Sequence, residues 1–150
     1  MNESKKDNEN SMEDIFGPVI YAYTRAQAIE DGVLVDVTKT AREAGIRIPT
    51  AITAAVHDRY VAVPEESKGH QDEAGRLWDL MWMLAHAVRS GKLDGNEGMF
   101  ELLVATPESA NWQSNEKRHG ENLRLVSLKA VCGPADDGSA CITIMMLDED

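Results

Sequence analysis

Asp72-Glu73-Ala74-Gly75-Arg76-Leu77-Trp78-Asp79-Leu80-Met81-Trp82-Met83-Leu84-Ala85-His86-Ala87-Val88-Arg89-Ser90 carries the strongest periodic signal in the chain. Leu77, Leu80, Met81, Leu84 and Val88 recur at the spacing of one helical face. Trp78, Trp82 and Ala85 form a second apolar stripe beside the first, and Gly91 stops the run. A helix apolar on two sides is packed on two sides, so this segment is expected to be the central helix of the domain.

Beyond it the period changes. Met99 to Ala105 reads as a strand, and Pro107 to Glu121 as a long polar loop around Trp112. Leu123 to Cys132 and Ala140 to Leu147 are β-rich apolar runs separated by the turn formers Gly133-Pro134-Ala135-Asp136-Asp137-Gly138-Ser139. They are expected to form an antiparallel hairpin, with Met99 to Ala105 as the third strand. A sheet this small cannot bury its face alone, and the central helix has the apolar surface to cover it.

Upstream, Thr24 is placed to cap a short helix over Arg25 to Asp31, with Gln27 completing a capping box and Gly32 ending it. Val33 to Val37 has the β-branched composition of a strand. Thr38 precedes a second short helix to Ala44, ended by Gly45. Pro49 suits the first turn of a third helix through Thr50, Ile52, Ala55 and Val56. Tyr60 to Val63 is expected to be extended, and Glu65 to Gln71 to be a polar connection. The fold class expected is therefore α+β: short N-terminal helices and a strand, then a central amphipathic helix packed on a C-terminal antiparallel sheet of about three strands.

The chain has 150 residues, 43% of them hydrophobic and 5% aromatic, which suits one domain with a mainly aliphatic core. Residues 1–14 are polar and charged and are expected to be a disordered tail, with Met12 a possible natural start; residues 15–150 then form the domain. No stretch approaches the roughly eighteen apolar residues of a membrane span, and no apolar segment follows the charged start as a secretory signal requires. A cytoplasmic location without membrane contact is expected. The net charge is −11. Five acids against two lysines in residues 1–14, with Asp148, Glu149 and Asp150, place more than half of that excess on the two ends. No basic stripe is available to displace counterions, so duplex nucleic acid is disfavoured as a partner.

Signatures of chemistry are sparse. His57, His70, His86 and His119 make no HxxxH, HxH or HExxH spacing, and Cys132 and Cys141 make no CxxC, so neither a metal nor another cofactor is implied. The two cysteines flank the hairpin turn, where their pairing depends on the register. No GxSxG elbow is present, and the glycine-rich Gly91 to Gly98 follows a helix rather than a strand and carries acids where phosphate needs bare amides. Arg76, Asp79, His86 and Arg89 fall near one another around the long helix: a solvated stripe with an Arg76–Asp79 pair, or the polar lining of a cleft. Asp36, alone in an apolar strand, would need Arg25 or Arg42 as a partner if buried. Tyr21, Tyr23, Arg25, Asp31, Asp36 and Asp79 are the candidate ligand-binding residues, and none is assigned a catalytic role.

The segment Ile20-Tyr21-Ala22-Tyr23-Thr24-Arg25-Ala26-Gln27-Ala28-Ile29-Glu30-Asp31-Gly32-Val33-Leu34-Val35-Asp36-Val37-Thr38 resembles an uncharacterised family of small bacterial, phage and plasmid proteins, filed as a domain of unknown function. The resemblance continues through Ala44-Gly45-Ile46, Pro49, Arg76-Leu77-Trp78-Asp79 and the apolar C-terminal run ending in acids. It implies a mobile-element setting and no particular activity. The leading expectation is a non-catalytic accessory protein that binds another protein. A small enzyme or ligand-binding domain built on Tyr21 to Asp36 is the alternative, and an acidic mimic of nucleic acid is the third.

Overall fold

The computed structural model describes residues 23–63, 65, 69, 72–93 and 95–150. The expectations for residues 1–14, for Tyr21 and for most of the 65–71 connection lie outside the described residues.

Local signals set the ends of the first elements. Thr24 Oγ1 accepts from the Gln27 amide at 3.0 Å, while the Gln27 side chain accepts from the Thr24 amide at 2.9 Å, so the capping box closes the start of α1, Arg25–Glu30. Gly32, at φ +81°, turns the chain out of α1 into β1, Leu34–Asp36. Asp36 is exposed, not a buried acid in need of Arg25 or Arg42: its carboxylate accepts from the Thr38 amide at 3.0 Å and the Thr38 hydroxyl at 2.6 Å. That contact turns the chain into α2, Thr38–Glu43.

The next segment departs from expectation. Thr50–Thr53 is a strand, β2, and all four of its residues are buried. Ile52 and Val56 have helical spacing, but Thr50, Ile52 and Thr53 are β-branched and β2 has a strand on either side. The helix starts only after Thr53, as the single turn α3, Ala54–Val56, continued by a π-helical turn over His57–Val61. Tyr60 and Val61 are therefore helical rather than extended.

The helix α4 spans Glu73–Arg89, with the Asp72 carboxylate accepting from the Gly75 amide at 2.6 Å. It is followed by β3, Glu97–Ala105; β4, Glu116–Gly120; β5, Leu123–Pro134; and β6, Ala140–Met145. β5 and β6 form the expected antiparallel hairpin, and β3 lies antiparallel to β5. The sheet, however, has six strands and is mixed, with the order β1-β2-β6-β5-β3 and β4 also paired to β5. β5 is long enough to hold β4 along Leu123–Val126 and β6 along Lys129–Pro134, with β3 beside it from Leu123 to Val131. β2 and β6 run parallel, Ile52 opposite Ile144. β4 arises within what reads as a polar loop, because Glu-Lys-Arg-His-Gly has no apolar residue to announce a strand.

The core lies between α4 and one face of the sheet. Leu80, Met81 and Leu84 are fully buried against Phe100, Leu102, Val126, Leu128 and Ile144, each contributing about 1.5–3 kcal/mol by burial. The expected three-strand sheet under a central, doubly clad helix is thus overturned. α4 packs on β3 and also meets α2 and the π-helical turn, yet Trp78 and Trp82 remain 38% and 49% exposed. Of the second apolar stripe Ala85 is buried in the core, while the two indoles stack on each other, ring centroids 5.9 Å apart.

Candidate functional site

The exposed side of α4 faces β3 across a groove of about 420 Å³. Asp79, Trp82, Met83 and His86 form its helical wall, and Glu101, Leu102 and Leu103 its strand wall, with Lys92 and Leu125 at the margins. Trp82 has a neighbour on either side. Trp78 stacks on it one helical turn away, and the Arg89 guanidinium sits 5.7 Å from its ring centroid. Beside the groove, Met99 is 56% and Leu103 45% exposed on β3. Asp79, Glu101, His86 and Lys92 supply the polar and charged part of the groove lining.

Of the described candidate ligand-binding residues only Asp79 lines this groove, and of the polar row read around the helix Asp79 and His86 do. The expected partner of Asp79, Arg76, is not on a solvated stripe: it is buried, and its Nη1 donates to the Ala105 carbonyl at 3.0 Å. Burial pulls the Arg76 guanidinium below its ordinary pKa, with Asp79 opposing the effect. Tyr23 donates to the Asp31 carboxylate at 2.6 Å, and that hydrogen bond raises the phenol pKa. Arg25 donates to Thr143 Oγ1 at 2.7 Å and to the Ile142 carbonyl at 2.8 Å, clasping α1 onto β6. Asp36 initiates α2. Tyr23 and Asp31 are therefore brought together, Arg25, Asp36 and Asp79 lie apart from them, and each of the four outside the groove is held by a bond within the fold.

A second polar constellation went unread in the sequence. Glu116 of β4 has a side chain with 0% exposure, and both oxygens are saturated. Oε2 accepts from Arg59 Nε at 2.7 Å and the Tyr60 hydroxyl at 2.5 Å; Oε1 accepts from Arg124 Nη1 at 2.8 Å, Arg59 Nη2 at 3.0 Å and the Gln113 amide at 3.1 Å. Asn115 Nδ2 donates to the Tyr60 hydroxyl at 3.1 Å. Burial alone would push this carboxyl up, but the bonds from Arg59, Tyr60 and Arg124 overcome it and pull its pKa down to about 2. Burial and the Glu116 hydrogen bond raise the Tyr60 phenol.

Arg124 also donates to the carbonyls of Pro107, Ala110 and Asn111, and its guanidinium lies 3.7 Å from the centroid of the Trp112 ring. Arg59 Nη2 reaches the Asn111 carbonyl as well. The constellation pins the segment from Pro107 to Asn115 onto the sheet. Glu116 has no lone-pair direction left for a substrate, so its chemistry is structural. The legible signal was Arg124: strand alternation places it on the same face as buried Val126, Leu128 and Ala130, and a buried arginine demands an acid.

Cys132 pairs with Ile142 and Cys141 with Gly133, one position apart, so the two thiols point to opposite faces of the hairpin and are free. Among the described residues no group of three His, Cys, Asp or Glu side chains is arranged to hold a metal ion. No described helix is long and apolar enough to cross a membrane.

The fold and this surface define a small α+β domain with a mixed sheet and an exposed pair of stacked tryptophans. The chain belongs to a family of unknown function, DUF6573, which matches residues 12–150. Nothing among the curated proteins or the solved structures matches it.

Proposed function

We propose that this protein is a non-catalytic accessory factor of a mobile element that acts by binding another protein through the α4–β3 face. The observation that carries the reading is Trp82, half exposed yet held between Trp78 and Arg89 at the mouth of an apolar groove. A free indole in water gains nothing for the fold, whereas a pre-positioned one loses little entropy on contact, and Trp and Arg dominate binding hot spots. The mobile-element setting rests on the sequence resemblance alone.

A second reading, a small-ligand domain, draws on the groove volume, which falls within the range of small-molecule sites. Tyr23, Arg25, Asp31 and Asp36 do not converge on it, so Asp79 with His86 would carry any such ligand. The test is affinity capture from the native host with wild-type protein and Trp82→Ala. A stoichiometric protein captured by wild type and lost with the variant supports the first reading, since a hot-spot tryptophan is worth about 2–4 kcal/mol. Co-purification of a small molecule and no protein refutes it.

A further inference from the structure

The ladder between β3 and β5 determines which way each backbone group of β3 points. Residues in antiparallel register alternate between pairs that exchange hydrogen bonds and pairs that do not. Just outside the two ends of β3, the Cys132 amide donates to the Asn96 carbonyl at 2.7 Å and the Thr106 amide to the Asn122 carbonyl at 3.0 Å. Both bonds keep the register of Gly98↔Ala130 and Leu102↔Val126. Gly98, Phe100, Leu102 and Val104 therefore turn their amides and carbonyls toward β5. Glu97, Met99, Glu101, Leu103 and Ala105 turn theirs away from the sheet.

The outward carbonyl of Ala105 is taken by Arg76, which ends the open stretch. Between Met99 and Leu103 no described residue bonds the outward backbone groups, and β3 has no second strand neighbour among the described residues. The groove opens along this edge, with Trp82 and His86 opposite Glu101 and Leu103. A free edge beside an apolar groove is a template for one more strand.

The side chains on that edge alternate in kind: Glu97, Met99, Glu101, Leu103. Opposite charges across a strand pair are favourable and like charges are not. With Asp79 in the groove as well, the acids outnumber Lys92, and Lys129, opposite Met99 on β5, is turned to the Glu149 carbonyl. A second copy of this chain fits poorly, because its net charge is −11 and a two-fold pairing over all nine residues sets Glu101 against Glu101.

Resting on the protein-binding reading, we propose that the partner adds an extended, basic segment as a further strand along β3, with Lys or Arg opposite Glu97 and Glu101, apolar residues opposite Met99 and Leu103, and Trp82 packed over it.

The test uses the full chain and a nine-residue labelled peptide, Lys-Thr-Val-Thr-Lys-Thr-Val-Thr-Lys, followed by fluorescence anisotropy. Two control peptides replace every Lys with Glu or N-methylate alternate amides so that strand bonds cannot form. Binding of the basic peptide, weakened at least tenfold by either change and tenfold by Glu101→Lys, supports strand addition. Equal binding of the N-methylated peptide, or none of the basic one, overturns it.

Leu103→Pro removes one outward amide and no bond to β5, so it should abolish binding while thermal unfolding stays two-state. If that variant fails to fold, the N-methylated peptide still decides. Hydrogen exchange of the free chain supplies a second readout. Rapid exchange at Met99, Glu101 and Leu103 fits an open edge. Protection that grows with protein concentration assigns the edge to a second copy; protection independent of concentration assigns it to the chain's own residues; either overturns the proposal. A captured partner that is lost with Trp82→Ala but retained with Leu103→Pro sinks strand addition while leaving the protein-binding reading intact.

Discussion

Replacing Glu116 with Gln removes one charge from a site where two arginines have been taken out of water to meet it. The carboxyl has a pKa of about 2 in the folded protein against the ordinary 4.5, and a displacement of about 2.5 pH units at about 1.4 kcal/mol each is worth about 3 kcal/mol. Because the folded-state value is depressed, the unfolded chain binds more protons as the pH falls. This stability is fully present above pH 4.5 and is lost between pH 4.5 and 2. Independently, breaking a buried ion pair by removing one partner costs about 3–5 kcal/mol. Urea unfolding at pH 7 should therefore place Glu116→Gln about 3 kcal/mol below wild type. At pH 3 the gap should fall to about 1 kcal/mol, since most of the wild-type advantage has titrated away. A gap that stays constant from pH 7 to pH 3 would show that the carboxylate is not the group holding Arg59 and Arg124, and the account of the buried site would fail.

Four further substitutions probe the fold. Gly98→Ala should destabilise by about 1–3 kcal/mol in the same assay, because a Cβ there would lie 2.7 Å from the Lys92 carbonyl oxygen, with the Leu93 backbone at 2.9 Å; wild-type stability would mean that the Lys92–Leu93 crossing is misplaced. Leu84→Ala should cost about 2–5 kcal/mol while Trp82→Ala costs under about 1 kcal/mol, an inversion of side-chain size that follows from Leu84 being fully buried and Trp82 half exposed; equal losses would place the tryptophan in the core. Thr24→Ala should cost about 1 kcal/mol by opening the capping box, read as a lowered midpoint of thermal unfolding, and no change would mean that α1 is held by Arg25 alone.

The elements legible in the sequence are those whose signals are local. Thr24 and Gln27 lie three residues apart and define a cap wherever they occur in that pattern. Leu77 to Val88 repeats one face over three turns, so the segment's helicity could be read directly. The turn between β5 and β6 is dense in Gly, Pro and Asp, and the hairpin was legible with it. β2 was not, because its pairing with β6 joins Thr50 to Ile142 and no property of four residues encodes a partner that far away. β4 was missed because its reason to be extended is the buried ion pair between Glu116 and Arg59, 57 positions earlier. The two-sided apolarity of α4 was legible as a pattern, but its meaning was not. A second apolar stripe signals a contact without saying whether it is made with the core or between neighbours on the surface, and Trp78 and Trp82 stack on each other while exposed. Asp79 was found because polar residues on that stripe stand out, whereas the outward backbone groups of β3 are set by register and leave no compositional mark.

The strand that comes last along the sheet-forming sequence lies in its middle: β6 has β2 on one side and β5 on the other. During refolding, the β3–β5 ribbon can zip from contacts near in sequence, but the β1–β2 corner has no strand of that ribbon to pair with until β6 is laid down. Assembly is therefore staged, with a slow closing step set by loop entropy over some ninety residues. Deleting Ala140–Met145 would not trim the molecule at its rim but part β2 from β5, leaving α4 and the Arg59–Glu116 pair to bridge the two parts of the sheet.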